Sequence, residues 1–119
     1  CTKARYFPGT QAGSEPEVQA LVKLIEEQRP QLIVHCHSWK PCIVCSGAPG
    51  EKTARHLAEA SGYHLQTHIG YETPGSLSSF GWKDKGIPVI CIEEKSHTPL
   101  NQVWPRFEKA VHKIFKEGL

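Results

Sequence analysis

Two histidines and three cysteines crowd into fourteen residues, "LIVHCHSWKPCIVC" (residues 32–45). If the segment is extended, His35 and His37 share one face and Cys36 points the other way. Neutral imidazole is a common zinc ligand, and catalytic zinc takes three protein ligands plus water. Cys42 and Cys45 form a Cys-x-x-Cys pair that, with the two histidines, would complete a structural two-Cys, two-His zinc set. The same string also suits a buried strand with polar residues at its end, and Ile43 and Val44 suit a short extended segment. Thioredoxin-like redox chemistry is disfavoured. It places its first cysteine at a helix N-terminus, and here the next helix begins only after "SGAPG".

A second candidate group ends the apolar run "IPVICIE". A carboxylate at Glu93 is costly to desolvate unless it faces a cavity, a cation or a metal. Facing one, it is a candidate general base for a water activated by a metal. Its neighbour Glu94 is expected to reach solvent. "HLAE", His56 to Glu59, has a His-x-x-Glu spacing used in zinc sites, but both residues fall on the wet face of an amphipathic helix, which explains them without a metal.

The elements that must position these groups follow from periodicity and turn signals. "SEPEVQALVKLIEEQRP" reads as a helix with Ser14 as N-cap, Pro16 in its first turn and Glu17 closing a capping box; Val18, Leu21, Val22 and Ile25 form its stripe and Pro30 ends it. "QLIVHC" reads as a strand buried on both faces, and "SWKPCIVCSGAPG" as a loop. "EKTARHLAEASG" is a helix stopped by Gly62. "GYETPGS" carries a type I or II turn with Pro74 at i+1 and Gly75 at i+2, followed by a helix over residues 76–84. "IPVICIE" is the second strong strand. Phe107, Ala110, Val111, Ile114 and Phe115 stripe a closing helix, with Pro105 at the start of its regular part. Alternating helices and buried strands argue for an α/β fold with mainly parallel strands. In such sheets ligands gather outside the carboxyl ends of the strands, which singles out "HCHS" and "EEKS".

The 119 residues allow one domain with a modest core. The composition is 39% hydrophobic and 22% charged, and no apolar run approaches the ~18 residues of a membrane span. Fourteen basic residues against twelve acidic ones leave +2, scattered along the chain, so neither a nucleic-acid nor a membrane partner is indicated. An odd count of five cysteines, with Cys36 and Cys91 in predicted buried strands, favours reduced thiols and a cytoplasmic setting. The first residue is Cys1, and "CTKARYFPG" is no signal segment, so the chain is expected to be part of a longer one.

Four segments, "PGTQAGSEPEVQALVKLI", "HCHSW", "IGYETPGSLSSF" and "GIPVICIEE", together resemble the C-terminal half of zinc metallocarboxypeptidases, and in particular the bacterial murein peptide amidases, which are similar to carboxypeptidases in fold. The resemblance runs from about Pro8 to the last helix. It implies a three-layer α/β/α sandwich, with residues 1–119 as a single partial domain. It also implies a Zn²⁺-dependent hydrolase acting on an amide bond of a small peptide, possible members being a murein tripeptide, an ordinary peptide C-terminus or a succinylated amino acid, in the bacterial cytoplasm. His37, followed by Ser38, matches the family's third zinc ligand. Glu93 matches the glutamate that activates the attacking water, and Tyr71 looks like the mobile tyrosine that closes on substrate. Trp39 would line the cleft, with Gly75 and Ser76 in the substrate-binding turn and Leu77 at the base of the specificity pocket. His35, Cys42 and Cys45 match nothing functional. The family's first two ligands lie in an upstream His-x-x-Glu, absent here together with its arginines, so an N-terminal half is expected to complete the site and the 119 residues alone to be inactive. Two alternatives stand beside this: a non-catalytic binding domain of the same fold, and a structural-zinc module using Cys42 and Cys45. A half-sheet would also expose an edge open to self-association.

Overall fold

The computed structural model describes residues 9–71 and 73–118. Cys1, Pro8 and Glu72 of the "GYETPGS" segment lie outside the described residues. The chain divides into two compact units, one ending at Pro30 and the other beginning at Gln31.

The first unit carries α1 (Pro16–Gln28). Its N-cap is Glu15 rather than Ser14, and no side chain caps it, so the expected capping box is not formed. The reason is local competition. Ser14 Oγ accepts the Thr10 N–H at 3.1 Å and donates to Glu15 Oε1 at 2.9 Å, closing the turn ahead of the helix. Arg29 ends α1 in the left-handed region at φ 44°, its N–H bonded to the Ile25 carbonyl, and Pro30 follows as expected.

The second unit is a four-stranded sheet, β1 (Ile33–Trp39), β2 (Cys42–Ser46), β3 (His64–Gln66) and β4 (Val89–Lys95), with spatial order β1-β4-β2-β3. The pairs β1–β4 and β2–β3 are parallel, but β2 runs antiparallel to β4. Two expectations are corrected here. "CIVC" is not loop but the start of a central strand whose first four residues are buried, while two of the three strand pairs are parallel as expected. β1 in turn is no doubly buried strand. It is the sheet's edge, mostly exposed, and Cys36 on it is exposed too. Residues 40 and 41 carry the chain across the end of β4, so β1 and β2 flank that strand instead of pairing with each other.

Two helices cover one sheet face: α2 (Glu51–Ser61), closed by Gly62 at φ 73°, and α4 (Leu100–Glu117). Ala54, Leu57, Phe107 and Ala110 pack there on Ile43, Cys45, Ile90 and Ile92. Pro105 lies inside α4, not at its start, because the helix begins five residues earlier at Leu100. His56 and Glu59 sit 4.0 Å apart along α2, a pair spanning one helical turn.

The other face is covered at one end only. α3 (Leu77–Ser79) is capped by Ser76, whose Oγ accepts the Ser79 N–H at 3.1 Å, and it runs on into a π-helical turn, Phe80–Asp84. Gly81 lies so close to Val89 and Ile33 that a methyl group at its Cα would collide with Val89. Helix, sheet and helix thus form the three layers expected of the α/β class. Among the described residues of this unit, no helix covers the carboxyl end of the second face. Among the described residues no helix is long and apolar enough to cross a membrane.

Candidate active site

Register places the chemistry. His37 on β1 is the direct partner of Glu93 on β4, which is in turn the partner of Cys42 on β2. One rung below, toward the middle of the sheet, stand His35, Cys91 and Val44. Alternation puts all six side chains on the open face, and directs Ser38, Glu94, Ile43 and Cys45 to the helix-covered one.

That open face is the floor of a cavity of ≈ 390 Å³, within the range of small-molecule sites. His37 and Glu93 line it at the carboxyl end of their strands, and Tyr71, largely exposed, stands on a loop at its margin. His37 Nδ1 lies 3.3 Å from Glu93 Oε2. The two differ sharply in exposure: the His37 side chain is 68% accessible and that of Glu93 9%. Glu93 Oε1 accepts the Cys91 thiol at 3.4 Å, whereas Oε2 is buried and no donor is aligned on it as a hydrogen bond. A buried carboxylate oxygen without a donor is expensive unless something is meant to approach it.

The surrounding groups are inert. Burial, then the charge and hydrogen bond of Glu93, push the Cys91 thiol up to about 12. Cys42 is raised by burial and by Glu93 as well, and it accepts the Gln66 amide at 3.4 Å. Both stay protonated at neutral pH and are poor nucleophiles. Burial holds the His35 imidazole below its ordinary value, His37 adds to that, and Glu93 only partly opposes it, so His35 is neutral.

The other sequence-predicted residues divide. Ser76 lines the cavity beside Thr73, Ser78 and Ser79. Gly75, at φ 77°, serves as i+2 of a type II turn closed by the Ser76 N–H on the Thr73 carbonyl at 3.2 Å. Leu77 starts α3 half-buried and is not among the residues lining the cavity. Ser38 is exposed on the opposite face beside Glu94, and Trp39 ends β1 outside the cavity with Lys40 Nζ 5.0 Å from its ring centre. Sequence reasoning did not place Val44, Ser46, residues 67–69, Trp82 or Cys91 at the site, though all line it. The pairing "GW" at residues 81–82 was the available signal for Trp82: a glycine lets the helical turn touch the sheet, and the next residue then reaches over the floor.

Glu94 is corrected. It does not reach solvent but is 7% exposed within a ring of donors. Tyr63 Oη and the Lys95 N–H donate to Oε1 at 2.5 and 2.8 Å, Thr98 Oγ1 donates at 3.2 Å, and Arg106 Nη1 holds Oε2 at 2.5 Å. Burial alone would raise the carboxyl, but the bonds from Tyr63, Lys95 and Arg106 outweigh it and hold it below its ordinary value. Tyr63 is driven the other way, up to about 12, by burial and by the carboxylate it serves.

Among the described residues no group of three histidine, cysteine, aspartate or glutamate side chains could hold a metal ion. The structural-zinc set does not assemble either, since Cys42 packs with Val44 and Cys91 on one sheet face while Cys45 packs on the other with α2 and α4. His37 and Glu93 bring together one imidazole at a strand end and one buried carboxylate oxygen that accepts no hydrogen bond.

No family model matches the chain. Over 72 residues it is 40% identical to murein peptide amidase A of Escherichia coli K12, a match covering 60% of this chain and 29% of that protein. Murein peptide amidase A of Vibrio campbellii is 32% identical over 79 residues, 66% of this chain and 31% of that one. Among solved structures, the murein-tripeptide amidase of E. coli O157 superposes with a TM-score of 0.72 at 32% identity, covering 87% of this chain and 43% of that chain. The chain therefore spans less than half the length of the relatives it matches, and its likeness to murein peptide amidases holds in both sequence and fold.

Proposed function

We propose that this chain contributes the C-terminal part of the catalytic domain of a zinc-dependent amidase that hydrolyses a peptide amide bond in a small cell-wall peptide, a murein tripeptide being the first candidate. The observation that carries the reading is the shared rung of His37 and Glu93 at the open end of the cavity, with Glu93 Oε2 buried and unsatisfied. Likeness to murein peptide amidases supports the chemical class.

In this reading His37 gives one of three ligands to a zinc ion, and the other two belong to residues this chain does not contain. Zinc there would supply Lewis acidity to the water and the scissile carbonyl. Glu93 takes the proton of the attacking water and returns it to the leaving amine, a role that suits a carboxylate walled from bulk solvent but open to the cavity. Tyr71 covers the substrate from the margin, and Ser76 with its neighbouring hydroxyls binds polar substrate groups. A bacterial cytoplasmic setting goes with this proposal, and the free thiols of Cys36, Cys42, Cys45 and Cys91 suit it.

The test is hydrolysis of a murein tripeptide by the complete protein carrying this chain. Glu93→Gln is expected to lower kcat by at least about a hundredfold while zinc content stays normal, since a base is lost and no ligand. Binding of the tripeptide without hydrolysis by the zinc-loaded wild type would point instead to a binding domain of the same fold.

A further inference from the structure

To take a proton from water, Glu93 must be aimed as well as charged. A glutamate side chain turns about several bonds, and an unanchored carboxylate samples many directions. The run before it on β4 is β-branched at Val89, Ile90 and Ile92, but not at Cys91. Cys91 and Glu93 lie two residues apart, hence on one face, with about 6.6 Å between them along the strand. Glu93 bends back over that interval, and the Cys91 thiol donates to its Oε1 at 3.4 Å. The other oxygen, Oε2, lies 3.3 Å from His37 Nδ1 and accepts no hydrogen bond. Cys91 is itself held in place. It is 5% exposed, stands between His35 on β1 and Val44 on β2, and packs with Cys42, Val44 and Ile69.

We propose that Cys91 is a positioning residue for Glu93: its thiol anchors Oε1 and so turns Oε2 toward the rung where His37 stands. The inference rests on the amidase reading for the role of Glu93. Cys91 acts through that carboxylate, and its own S–H bond stays intact throughout. A thiol suits the task because it is a weak donor. Strong donors stabilise the charged form of a carboxylate and weaken it as a base. Glu94 shows that other outcome, with Tyr63, the Lys95 N–H and Arg106 holding it below its ordinary value. Glu93 is given a direction by one soft contact instead.

The competing role for Cys91 is that of a small apolar core residue, and the two roles rank its substitutions in opposite order. Valine suits a strand beside Val44 and Ile69 but cannot donate, whereas serine donates but buries a hydroxyl in an apolar cluster. In the complete protein, Cys91→Val is expected to keep or raise the melting temperature while lowering kcat on a murein tripeptide about tenfold, with KM changed by less than about threefold. Cys91→Ser should melt lower yet recover kcat to within about threefold of the wild type. Wild-type kcat in Cys91→Val, a change in KM alone, or no recovery in Cys91→Ser overturns the proposal and leaves the amidase reading standing. A second measurement needs no turnover: the infrared S–H stretch of Cys91, isolated by subtracting the spectrum of Cys91→Val. It should lie below the frequency of a free thiol and rise in Glu93→Gln, where the acceptor loses its charge. If the wild type leaves the tripeptide uncut but the band still answers to Glu93→Gln, the amidase reading fails and the anchor stands. A band indifferent to Glu93→Gln refutes the anchor.

Discussion

Neighbouring side chains of a strand face opposite sides of its sheet, and at the end of β4 this separates two carboxylates into different chemistry. Glu93 has one oxygen on the Cys91 thiol and one without a hydrogen bond; Glu94 has four donors. Removing charge should therefore act oppositely on the two. Glu93→Gln is expected to leave the melting temperature unchanged or raised, because Oε2 is buried without accepting a hydrogen bond, while turnover is lost. Glu94→Gln is expected to cost about 2 kcal/mol, because the new amide group faces the Arg106 guanidinium instead of accepting from it. Thermal denaturation of the two variants side by side checks both, and a destabilised Glu93→Gln would contradict the view of Glu93 as held in readiness at the expense of stability.

At the scale of elements, the ring around Glu94 joins β4 to α4, to Tyr63 at the start of β3 and to the turn after β4. Tyr63 also meets Phe107 edge-on, with ring centroids 6.1 Å apart, so the polar ring closes directly onto the apolar layer. The folded Glu94 carboxyl titrates below its unfolded value. Its stabilisation is therefore complete above the ordinary carboxylate value of about 4.3, and is lost as pH falls through that value and the lower folded one. Denaturant titrations at stepped pH should show stability falling on the acid side in the wild type, with a shallower fall in Glu94→Gln. The π-helical turn makes a second prediction. Gly81→Ala places a methyl group against Val89 and should cost roughly 1–3 kcal/mol while displacing the Trp82 wall of the cavity, which differential denaturation and Trp82 fluorescence in a Trp39→Phe/Trp104→Phe background would register.

For the whole molecule, the decisive feature is that β1 is an edge. Among the described residues it pairs with β4 on one side only, it is largely exposed, and it carries His37. A strand with free N–H and C=O groups is a template for another strand, whether from an N-terminal half of the same domain or from a second copy. The zinc count follows the same logic. High affinity in a catalytic site comes from three converging ligands, and among the described residues no such cluster exists. After dialysis, elemental analysis of the 119-residue chain should find well under one zinc per chain and an amidase assay no turnover. Stoichiometric zinc would show that the chain builds a complete site by itself.

Local pattern was enough for much of this. The apolar stripe and Gly62 of α2, the Pro74–Gly75 turn and the serine that caps α3, the two strong strands, and the polar residues at their carboxyl ends were all legible, because each depends on neighbours within a few positions. His37 and Glu93 could be picked out by type and place alone; that they share a rung could not. "LIVHCH" is apolar enough to be central but lies at the edge, while "CIVC", too short and too hemmed by turn residues to look like a strand, is the buried one. Glu94 looked solvated and is enclosed. The cause is the same in each case. Periodicity tells a residue which side of its strand it faces, but burial depends on which strand lies alongside and which helix lies above. Partners such as Glu94 and Tyr63, thirty-one residues apart, meet only when the chain has closed. Sheet order decided that His37 and Glu93 would meet, and that His35 would lie on the floor beneath them.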